Sequence, residues 1–239
     1  MRASESQDAG TRTRRPAWAL WRRRSCVVPT WRGWLTLAGL VAIVVFISVR
    51  AIHPFLAVNA PIESGVLVVE GWMPDFALEE AKMEFQQNGR VVLYVTGIPI
   101  EKGAPMSEFE TYAELGAATL ATLGLGANVV RAVPAPDVRQ DRTFASAVAL
   151  RDRLQAAGSV PASINVATLS AHARRTRLLF AKAFGGDTRI GIIALDDPRY
   201  DERRWWRTSD GFRTVIDEVV AYTYARFLFR ARDSMADSR

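Results

Sequence analysis

Residues 168–177, TLSAHARRTR, contain the side chains of this chain that are best suited to chemistry. They follow the mostly apolar run from Ile164 to Ala167 and precede Leu-Leu-Phe, a pattern that predicts a strand turning into a helix. In a parallel sheet such a turn lies at the carboxyl edge, where ligands bind, and the helix N-terminus adds partial positive charge. The segment therefore indicates either an anion-binding corner around His172 or a helix-capping histidine beside solvated arginines.

His172 is the candidate general acid or base, because a histidine side chain gains and loses a proton near neutral pH. Two carboxylates could orient this histidine or activate a water molecule. Glu70 follows the first predicted strand, and Glu108 stands at the start of a predicted helix. The sequence therefore allows acid–base catalysis with His172, Glu70 and Glu108 as the catalytic residues.

A second group of residues, at the ends of predicted strands and the starts of predicted helices, could bind the ligand. The group consists of Gly71, Thr96, Gly97, Arg142, Thr143, Ser170 and Arg175. Arg142 and Arg175 provide positive charge for a phosphate or pyrophosphate group. Thr143, Ser170 and backbone N–H groups provide neutral donors. The predicted ligand is therefore an anion.

Several classes of site are excluded by what the sequence lacks. It has no G-x-G-x-x-G after the first predicted strand, no G-x-x-x-x-G-K and no G-x-S-x-G. This argues against dinucleotide, nucleoside triphosphate and ordinary serine-hydrolase sites. The only cysteine, Cys26, precedes the apolar segment described below, and His172 is the only histidine after His53, so no metal site is expected. The residues do not identify a cofactor.

The net charge of +6 belongs to the N-terminal tail. Residues 1–32 carry eight arginines against two acidic residues, and the rest of the chain has no net charge. The folded part therefore lacks the basic surplus of a nucleic-acid-binding domain, and it contains no nucleic-acid-binding motif. We expect no nucleic-acid partner.

An uncharged apolar segment follows the tail. The seventeen residues between Arg32 and Arg50 would form a helix about 25 Å long, close to a hydrocarbon core of about 30 Å. The two arginines can extend to the headgroups, and Trp31 and Trp34 suit the interface. A retained anchor is favoured over a cleavable signal peptide, because the apolar region is long and the small residues at 58–60 run directly into proline.

The arginines ahead of the anchor indicate that the N-terminus is cytoplasmic and that everything from His53 onward lies outside. The predicted organisation is a basic cytoplasmic tail (1–32), a transmembrane helix (33–52), a linker (53–64) and an α/β domain (65–232). We expect a single-pass protein of the cytoplasmic (inner) membrane with an extracytoplasmic domain, and the lipid bilayer is a partner.

Beyond the linker, short apolar runs alternate with helix-like stretches. Unbroken apolar strands are typical of a parallel sheet covered on both faces, so the fold class is α/β with a doubly wound five-stranded parallel sheet. The expected strand order, 3-2-1-4-5, places Glu70-Gly71 opposite Ser170-His172 across a cleft. The predicted strands span 66–70, 91–95, 129–133, 164–168 and 190–195, and the helices 76–88, 107–123, 142–157, 172–184 and 211–230.

Three local predictions follow. Ser107 and Glu110 should form a capping box at the start of a helix. Trp205 and Trp206 either form a platform for a sugar or lipid or pack beneath a loop. Apolar residues at helical spacing in the last helix should pack on the sheet, with a position on the membrane surface as the alternative. This stripe comprises Phe212, Val215, Ile216, Val219, Val220, Tyr224 and Phe227.

Five short motifs together match the outline of a known family: VLVVEG, TG, SE, DRTFASA and SAHARR, beginning at residues 66, 96, 107, 141 and 170. Over residues 65–195 the chain resembles the SanA/ElyC/YdcF family, a domain of unknown function found in bacterial envelope proteins, with His172 and Arg175 as the most specific match. The resemblance implies a Rossmann-like sheet behind one membrane helix and a role in envelope and peptidoglycan assembly involving the polyprenyl-phosphate carrier. The chain departs from the family's pattern at two places. An acid and an amide of the family are missing at residues 143–147, and the first strand ends in Glu-Gly-Trp. Both departures affect the catalytic mechanism and leave the anion pocket intact.

The expected function is binding or processing of a phosphate-bearing lipid or sugar in the biogenesis of the bacterial envelope, that is, of peptidoglycan and its carrier lipid. A non-catalytic binding module with the same ligand is one alternative. Fold analogy alone gives another, a pocket for a nucleotide-like cofactor such as S-adenosylmethionine.

Overall fold

The computed structural model describes residues 29–100 and 107–230. Residues 1–28 of the predicted tail, with Cys26, and residues 231–232 of the predicted domain lie outside this range. The strands are β1 (Val66–Glu70), β2 (Leu93–Gly97), β3 (Val130–Pro134), β4 (Ser163–Leu169) and β5 (Arg189–Leu195). The helices are α1 (Trp31–Leu56), α2 (Asp75–Gln87), α3 (Tyr112–Thr122), α4 (Arg142–Ala156), α5 (Ala173–Phe184) and α6 (Ser209–Thr223). Short 3₁₀ segments span Ser170–His172 and Glu202–Arg207, and a π-helical turn, Tyr224–Leu228, continues α6.

The five strands form one parallel sheet in the order β3-β2-β1-β4-β5, which confirms the predicted fold class and strand order. In the register, Val69 lies between Val95 on β2 and Ala167 on β4. Glu70, the last residue of β1, pairs with Thr96. The carboxyl end of β1 is therefore flanked by the ends of β2 and β4, at the switch point of the sheet.

The sheet is covered on both faces, as the unbroken apolar strands predict. Val68 packs with the buried side chains of α4 and α5 on one face. Leu67 and Val69 pack with those of α2 and α3 on the other face. This alternation follows from the two-residue period of a strand and fixes which ends of which helices reach the carboxyl edge.

Among the described residues, α1 is the one helix long and apolar enough to span a membrane, and none of its most apolar window is buried. The chain divides into two compact units between Val44 and Val45. Within the second unit the last turns of α1 pack on the α/β domain, where His53 and Leu56 are buried. Residues 53–56, predicted as linker, are therefore helical, because Leu56 packs against Trp205 and its neighbours.

The predicted capping box at Ser107 and Glu110 is wrong, and the observed box is four residues further on. The Thr111 hydroxyl accepts from the Glu114 backbone N–H, and the Glu114 carboxylate accepts from the Thr111 backbone N–H. Ile100 N–H donates to the Glu110 carbonyl and Tyr112 N–H donates to the Ile98 carbonyl, so the residues before Tyr112 bond to the segment after β2 and do not start a helix. The Ser107 hydroxyl accepts from Phe109 N–H in a local turn. Helix α3 therefore begins at Tyr112.

The prediction that the apolar stripe of α6 packs on the sheet is also wrong for most of its residues. Val215 is buried and Val219 is partly buried. Five others, which we call the α6 stripe, are exposed: Phe212, Ile216, Val220, Tyr224 and Phe227. The physical reason is that α6 lies at the edge of the domain, where Val219 packs near Leu56 of α1 and the opposite side faces outward.

Gly71 allows α3 to approach the end of β1. A Cβ atom at Gly71 would lie 2.1 Å from the Tyr112 carbonyl oxygen and 3.0 Å from Val95 Cγ1. We expect Gly71→Ala to lower the free energy of unfolding by about 1–3 kcal/mol, because the start of α3 must move. Denaturant unfolding of the full chain in detergent micelles, followed by tryptophan fluorescence, measures the difference.

Gly186→Ala is the matched control for Gly71→Ala. A Cβ atom at Gly186 would meet no heavy atom within 4 Å, so its stability should stay within about 0.5 kcal/mol of the original chain. Equal stability of the two variants would show that α3 does not press on Gly71.

Candidate functional site

A cavity of about 730 Å³ opens at the carboxyl edge of the sheet, and we call it the main cavity. It lies above the ends of β1 and β2, beside the start of α4, and against α5 and α6. Its polar part contains Glu70, Thr96, His172, Arg175 and Glu218. The switch point therefore coincides with the cavity, as expected for an open α/β sheet.

His172 is held by a carboxylate that comes from α6. Its Nδ1 lies 2.7 Å from Glu218 Oε1, and only 12% of the histidine side chain is exposed. A carboxylate accepts and does not donate, so Nδ1 carries the hydrogen, and Nε2, which lies 3.4 Å from Arg175 Nη2, is the ring nitrogen without one. The edge of the Trp72 indole packs against the ring, with centroids 5.1 Å apart, and limits its rotation.

Arg175 shares the Glu218 carboxylate with His172. Its Nε lies 2.9 Å from Oε2 and its Nη2 lies 2.9 Å from Oε1, which is a bidentate ion pair. Nη2 is also 2.9 Å from His172 Nδ1. Arg175 Nη2 and His172 Nδ1 are both donors. They lie close together because both donate to the same oxygen, Glu218 Oε1.

Glu70 is 2% exposed and forms the floor of the main cavity. The hydroxyls of Thr168 and Thr176 both donate to its Oε2, the second across 3.2 Å. His172 Nε2 lies 3.6 Å from the same oxygen, beyond a direct hydrogen bond. Glu70 does face His172 across the cleft, as the predicted topology requires. We call Glu70, His172, Arg175 and Glu218 the acid–base cluster.

Burial and neighbouring charges alter the pKa values of Glu218, Arg175 and the nearby Asp141. Burial raises the pKa of Glu218, but the charges and hydrogen bonds of His172 and Arg175 outweigh it and lower that pKa to about 2. Burial opposes the charge of Arg175, yet Glu218, Glu70 and Asp141 together raise its pKa. Burial raises the pKa of Asp141, and Arg175 partly opposes that rise. Glu218 is therefore ionised throughout the physiological range.

The start of α4 forms one rim of the main cavity. Arg139, Asp141, Arg142 and Thr143 line it there. Asp141 precedes α4 in a left-handed conformation, with φ of 58°, and its side chain does not cap the helix. The first backbone N–H groups of α4 thus receive no cap from Asp141 and lie next to two arginines, an arrangement that suits an anion.

Thr96 has a buried hydroxyl that finds no hydrogen-bond partner among the described residues. The residue lines the main cavity beside Gly97, at the end of β2. A buried polar atom without a partner is uncommon in folded proteins, and a polar ligand or a water molecule would satisfy it. The Thr96 hydroxyl is therefore a candidate ligand contact.

The structure brings most of the predicted site residues to the main cavity. Glu70, Thr96, Gly97, Arg142, Thr143, His172 and Arg175 line it. Their roles in catalysis or binding stay predictions. Arg175 differs from the expectation in one respect, because the ion pair with Glu218 already occupies its guanidinium group.

Three predicted site residues lie elsewhere. Gly71 packs beneath Tyr112. Glu108 is exposed and does not line the cavity. Ser170 turns away from the cavity, since its hydroxyl donates to Glu202 across 2.9 Å and lies 3.2 Å from His53 Nε2 on α1. The reason is that Ser170 adopts φ of 33° at the end of β4, which directs its side chain and that of His172 to different neighbours.

Trp205 and Trp206 do not line the main cavity. Trp205 is buried and its indole N–H donates to the Val49 carbonyl across 3.0 Å. The Arg50 guanidinium lies over the Trp206 ring, 5.4 Å from its centroid. The pair therefore packs against the end of α1, in agreement with the structural alternative of the sequence analysis.

Glu218 is the site residue that sequence reasoning missed. It lies in α6, far along the chain from the strand ends where ligand residues were sought. One signal was present: Glu218 lies three positions after Val215 and one before Val219, the two apolar residues of α6 that face the protein. Within the described residues no group of three or more histidine, cysteine, aspartate or glutamate side chains could hold a metal ion.

Comparison with known proteins gives no match: no family model, no curated protein and no solved structure is significantly similar to this chain.

Proposed function

We propose that this protein is a membrane-anchored envelope protein that binds a phosphate-bearing lipid or sugar in the main cavity and hydrolyses its phosphate ester, with His172 as general acid or base. The observation that carries the proposal is the 2.7 Å contact of Glu218 with His172 Nδ1 beside a cavity of about 730 Å³. A histidine fixed by a carboxylate, with its second nitrogen at a ligand cavity, is the arrangement of an acid–base catalyst.

The chemistry assigns one role each to His172, Glu218 and Arg175 of the acid–base cluster. Water attacks phosphorus, and the bond between phosphorus and the lipid or sugar oxygen breaks. His172 Nε2 accepts the proton of the attacking water or, when protonated, gives a proton to the leaving oxygen. Glu218 keeps the histidine oriented and stabilises its charged form, and Arg175 keeps Glu218 ionised.

The phosphate group itself would bind at the rim. Arg139 and Arg142 supply charge, the first turn of α4 supplies backbone N–H groups, and Thr96 supplies a hydroxyl. Across the cavity Ile98, Leu179 and the Ala221–Ala225 segment form a largely apolar wall. A cavity with a polar floor and an apolar wall suits a phosphate attached to an isoprenoid or other apolar chain.

The placement at a bacterial cytoplasmic membrane, with the N-terminus inside and the domain outside, belongs to the same proposal. It is supported by the length and composition of α1 and by the eight arginines ahead of Arg50 within residues 1–32. The resemblance of the five motifs to the SanA/ElyC/YdcF family adds the expected role in peptidoglycan and carrier-lipid metabolism.

The test uses the full chain in detergent micelles with two probes, a short polyprenyl phosphate and a hexose phosphate. Release of inorganic phosphate measures turnover, and titration calorimetry measures binding. We expect His172→Ala to reduce phosphate release by about 10²–10⁴-fold, because general acid–base catalysis contributes that much. Binding of the same probe should change far less than turnover, since His172 is not the proposed charge partner of the phosphate.

Arg153→Ala, an exposed position on α4 away from the cavity, is the control and should leave both measurements unchanged. An unchanged rate in His172→Ala would contradict the catalytic role. Binding without phosphate release by the original chain would favour the non-catalytic binding module. Failure to bind either probe would overturn the proposal as a whole.

A further inference from the structure

The α6 stripe is an exposed apolar surface on a helix that belongs to the site. Val220 is 65% exposed and Phe227 is 74% exposed. Together with Val220, the members Phe212, Ile216 and Tyr224 repeat every four residues, and Phe227 follows three residues later, so the stripe follows one side of α6. Large apolar side chains that cluster on a surface mark a contact with another molecule or with a membrane.

The stripe belongs to the helix that contacts the end of α1. Tyr222 packs edge-on against Phe55, with ring centroids 5.6 Å apart, and Val219 packs in the same cluster as Ile52 and Leu56. Helix α1 has 26 residues and is about 39 Å long, longer than a hydrocarbon core of about 30 Å. The turns of α1 that contact α6 are therefore those that emerge from the membrane.

Arginines accompany the apolar side chains at the end of α6 and around the last turns of α1, and α6 also exposes Asp210 and Asp217. The Arg226 guanidinium lies 5.6 Å from the Phe227 ring centroid, and that of Arg174 lies 4.0 Å from the Phe55 ring centroid. Arg50, in α1, lies over Phe46 and Trp206. Aromatic and aliphatic groups flanked by arginine are the composition of surfaces that rest on anionic lipid headgroups.

The same segment of chain forms a wall of the main cavity. Ala221, Tyr224 and Ala225 line the cavity, while Val220 and Phe227 beside them are exposed. Tyr224 belongs to both surfaces, since it lines the cavity and is 41% exposed. The α6 stripe and the mouth of the cavity are thus continuous.

We infer that the α6 stripe lies in the headgroup region of the membrane that α1 spans, so that a lipid headgroup enters the main cavity directly from the bilayer. The position of the stripe depends on the anchor alone. The choice of a membrane lipid over a soluble sugar as ligand rests on the proposed function.

The experiment places a nitroxide spin label on a cysteine at the stripe, in the full chain with Cys26→Ser. The chain is reconstituted in nanodiscs of phosphatidylcholine and phosphatidylglycerol. The label is attached to Val220→Cys or to the matched control Val91→Cys, an exposed valine just before β2, at the opposite edge of the sheet. Collision rates with oxygen, which concentrates in lipid, and with a water-soluble nickel chelate report the depth of each label.

We expect the ratio of oxygen to nickel collisions to be several-fold higher at residue 220 than at residue 91. Equal ratios would overturn the inference. Dipolar broadening between labels at residue 220 that disappears on dilution with unlabelled chain would assign the stripe to a second copy and would also overturn it.

The depth measurement needs no activity, so its result is separable from that of the phosphate-release test. Repeating it with His172→Ala in the background should give the same depths. If the label at residue 220 lies in lipid but the chain releases no phosphate, the proposed phosphate hydrolysis is refuted and the inferred membrane contact of the α6 stripe still holds.

Discussion

Arg175→Met is expected to lower the free energy of unfolding by about 3–5 kcal/mol, because it leaves the buried carboxylate of Glu218 without its cationic partner. The guanidinium makes two hydrogen bonds of 2.9 Å to that carboxylate and also compensates the charges of Glu70 and Asp141. Methionine keeps much of the apolar volume, so the loss reports the charge. Denaturant unfolding of the full chain in detergent micelles measures it.

Arg153→Met is the matched control, an exposed arginine on α4, and its effect should stay within about 0.5 kcal/mol. If Arg175→Met does not fold, Arg175→Lys provides the measurement, since it keeps the charge and loses the bidentate geometry. The double variant with Glu218→Met should recover part of the loss, because no unpaired buried charge remains. A stability of Arg175→Met equal to that of the control would show that the ion pair carries no net stability.

The sequence was sufficient for the fold because the central strands are largely apolar. The run at residues 66–69, Val-Leu-Val-Val, has no polar face, as expected for a strand in a sheet covered on both sides. The strand order follows from the switch point, and the observed strand bounds differ from the predicted ones by at most two residues. Helix α3 was less predictable, since an S-x-x-E pattern at Ser107 competes with a T-x-x-E pattern at Thr111.

The candidate site was predictable only where strand ends determine it. His172, Glu70 and Thr96 follow strands, so their convergence is a consequence of the topology. The position of Glu218 in the site depends on how α6 packs against α5, and local sequence patterns do not predict that packing. The direction of the Ser170 side chain depends on the φ angle of Ser170 at the end of β4, and no local sequence pattern predicts that angle.

The α6 stripe illustrates the same limit on a larger scale. Apolar residues at helical spacing indicate that one side of a helix avoids water, but they do not say whether protein or lipid covers it. Of the residues predicted to pack on the sheet, Val215 is buried and Val219 is partly buried in a cluster with Leu56 and Trp205, whereas the α6 stripe is exposed. The position of α6 beside the last turns of α1, which emerge from the membrane, is what favours lipid over protein as the cover of the stripe.

The stability of the domain should fall steeply in acid because of Glu218. Its pKa is lowered from 4.5 to about 2 in the folded protein, so the carboxylate stabilises the fold above pH 4.5. That stabilisation is lost as the pH falls from 4.5 towards 2, because the unfolded chain binds the proton first. A shift of this size corresponds to about 3 kcal/mol.

The groups that face Glu218 determine the sign of this effect. Burial of the Glu218 carboxylate raises its pKa, and the contacts with His172 and Arg175 outweigh burial and favour the ionised form. Unfolding free energies measured across the acid range should therefore decline more steeply for the original chain than for Glu218→Gln, which cannot ionise at this position. The difference in unfolding free energy between the original chain and Glu218→Gln should shrink by about 3 kcal/mol as the pH falls from 4.5 to 2. Parallel curves would show that Glu218 does not bind its proton with a depressed pKa, and with that the fixed orientation of His172 would lose its electrostatic basis.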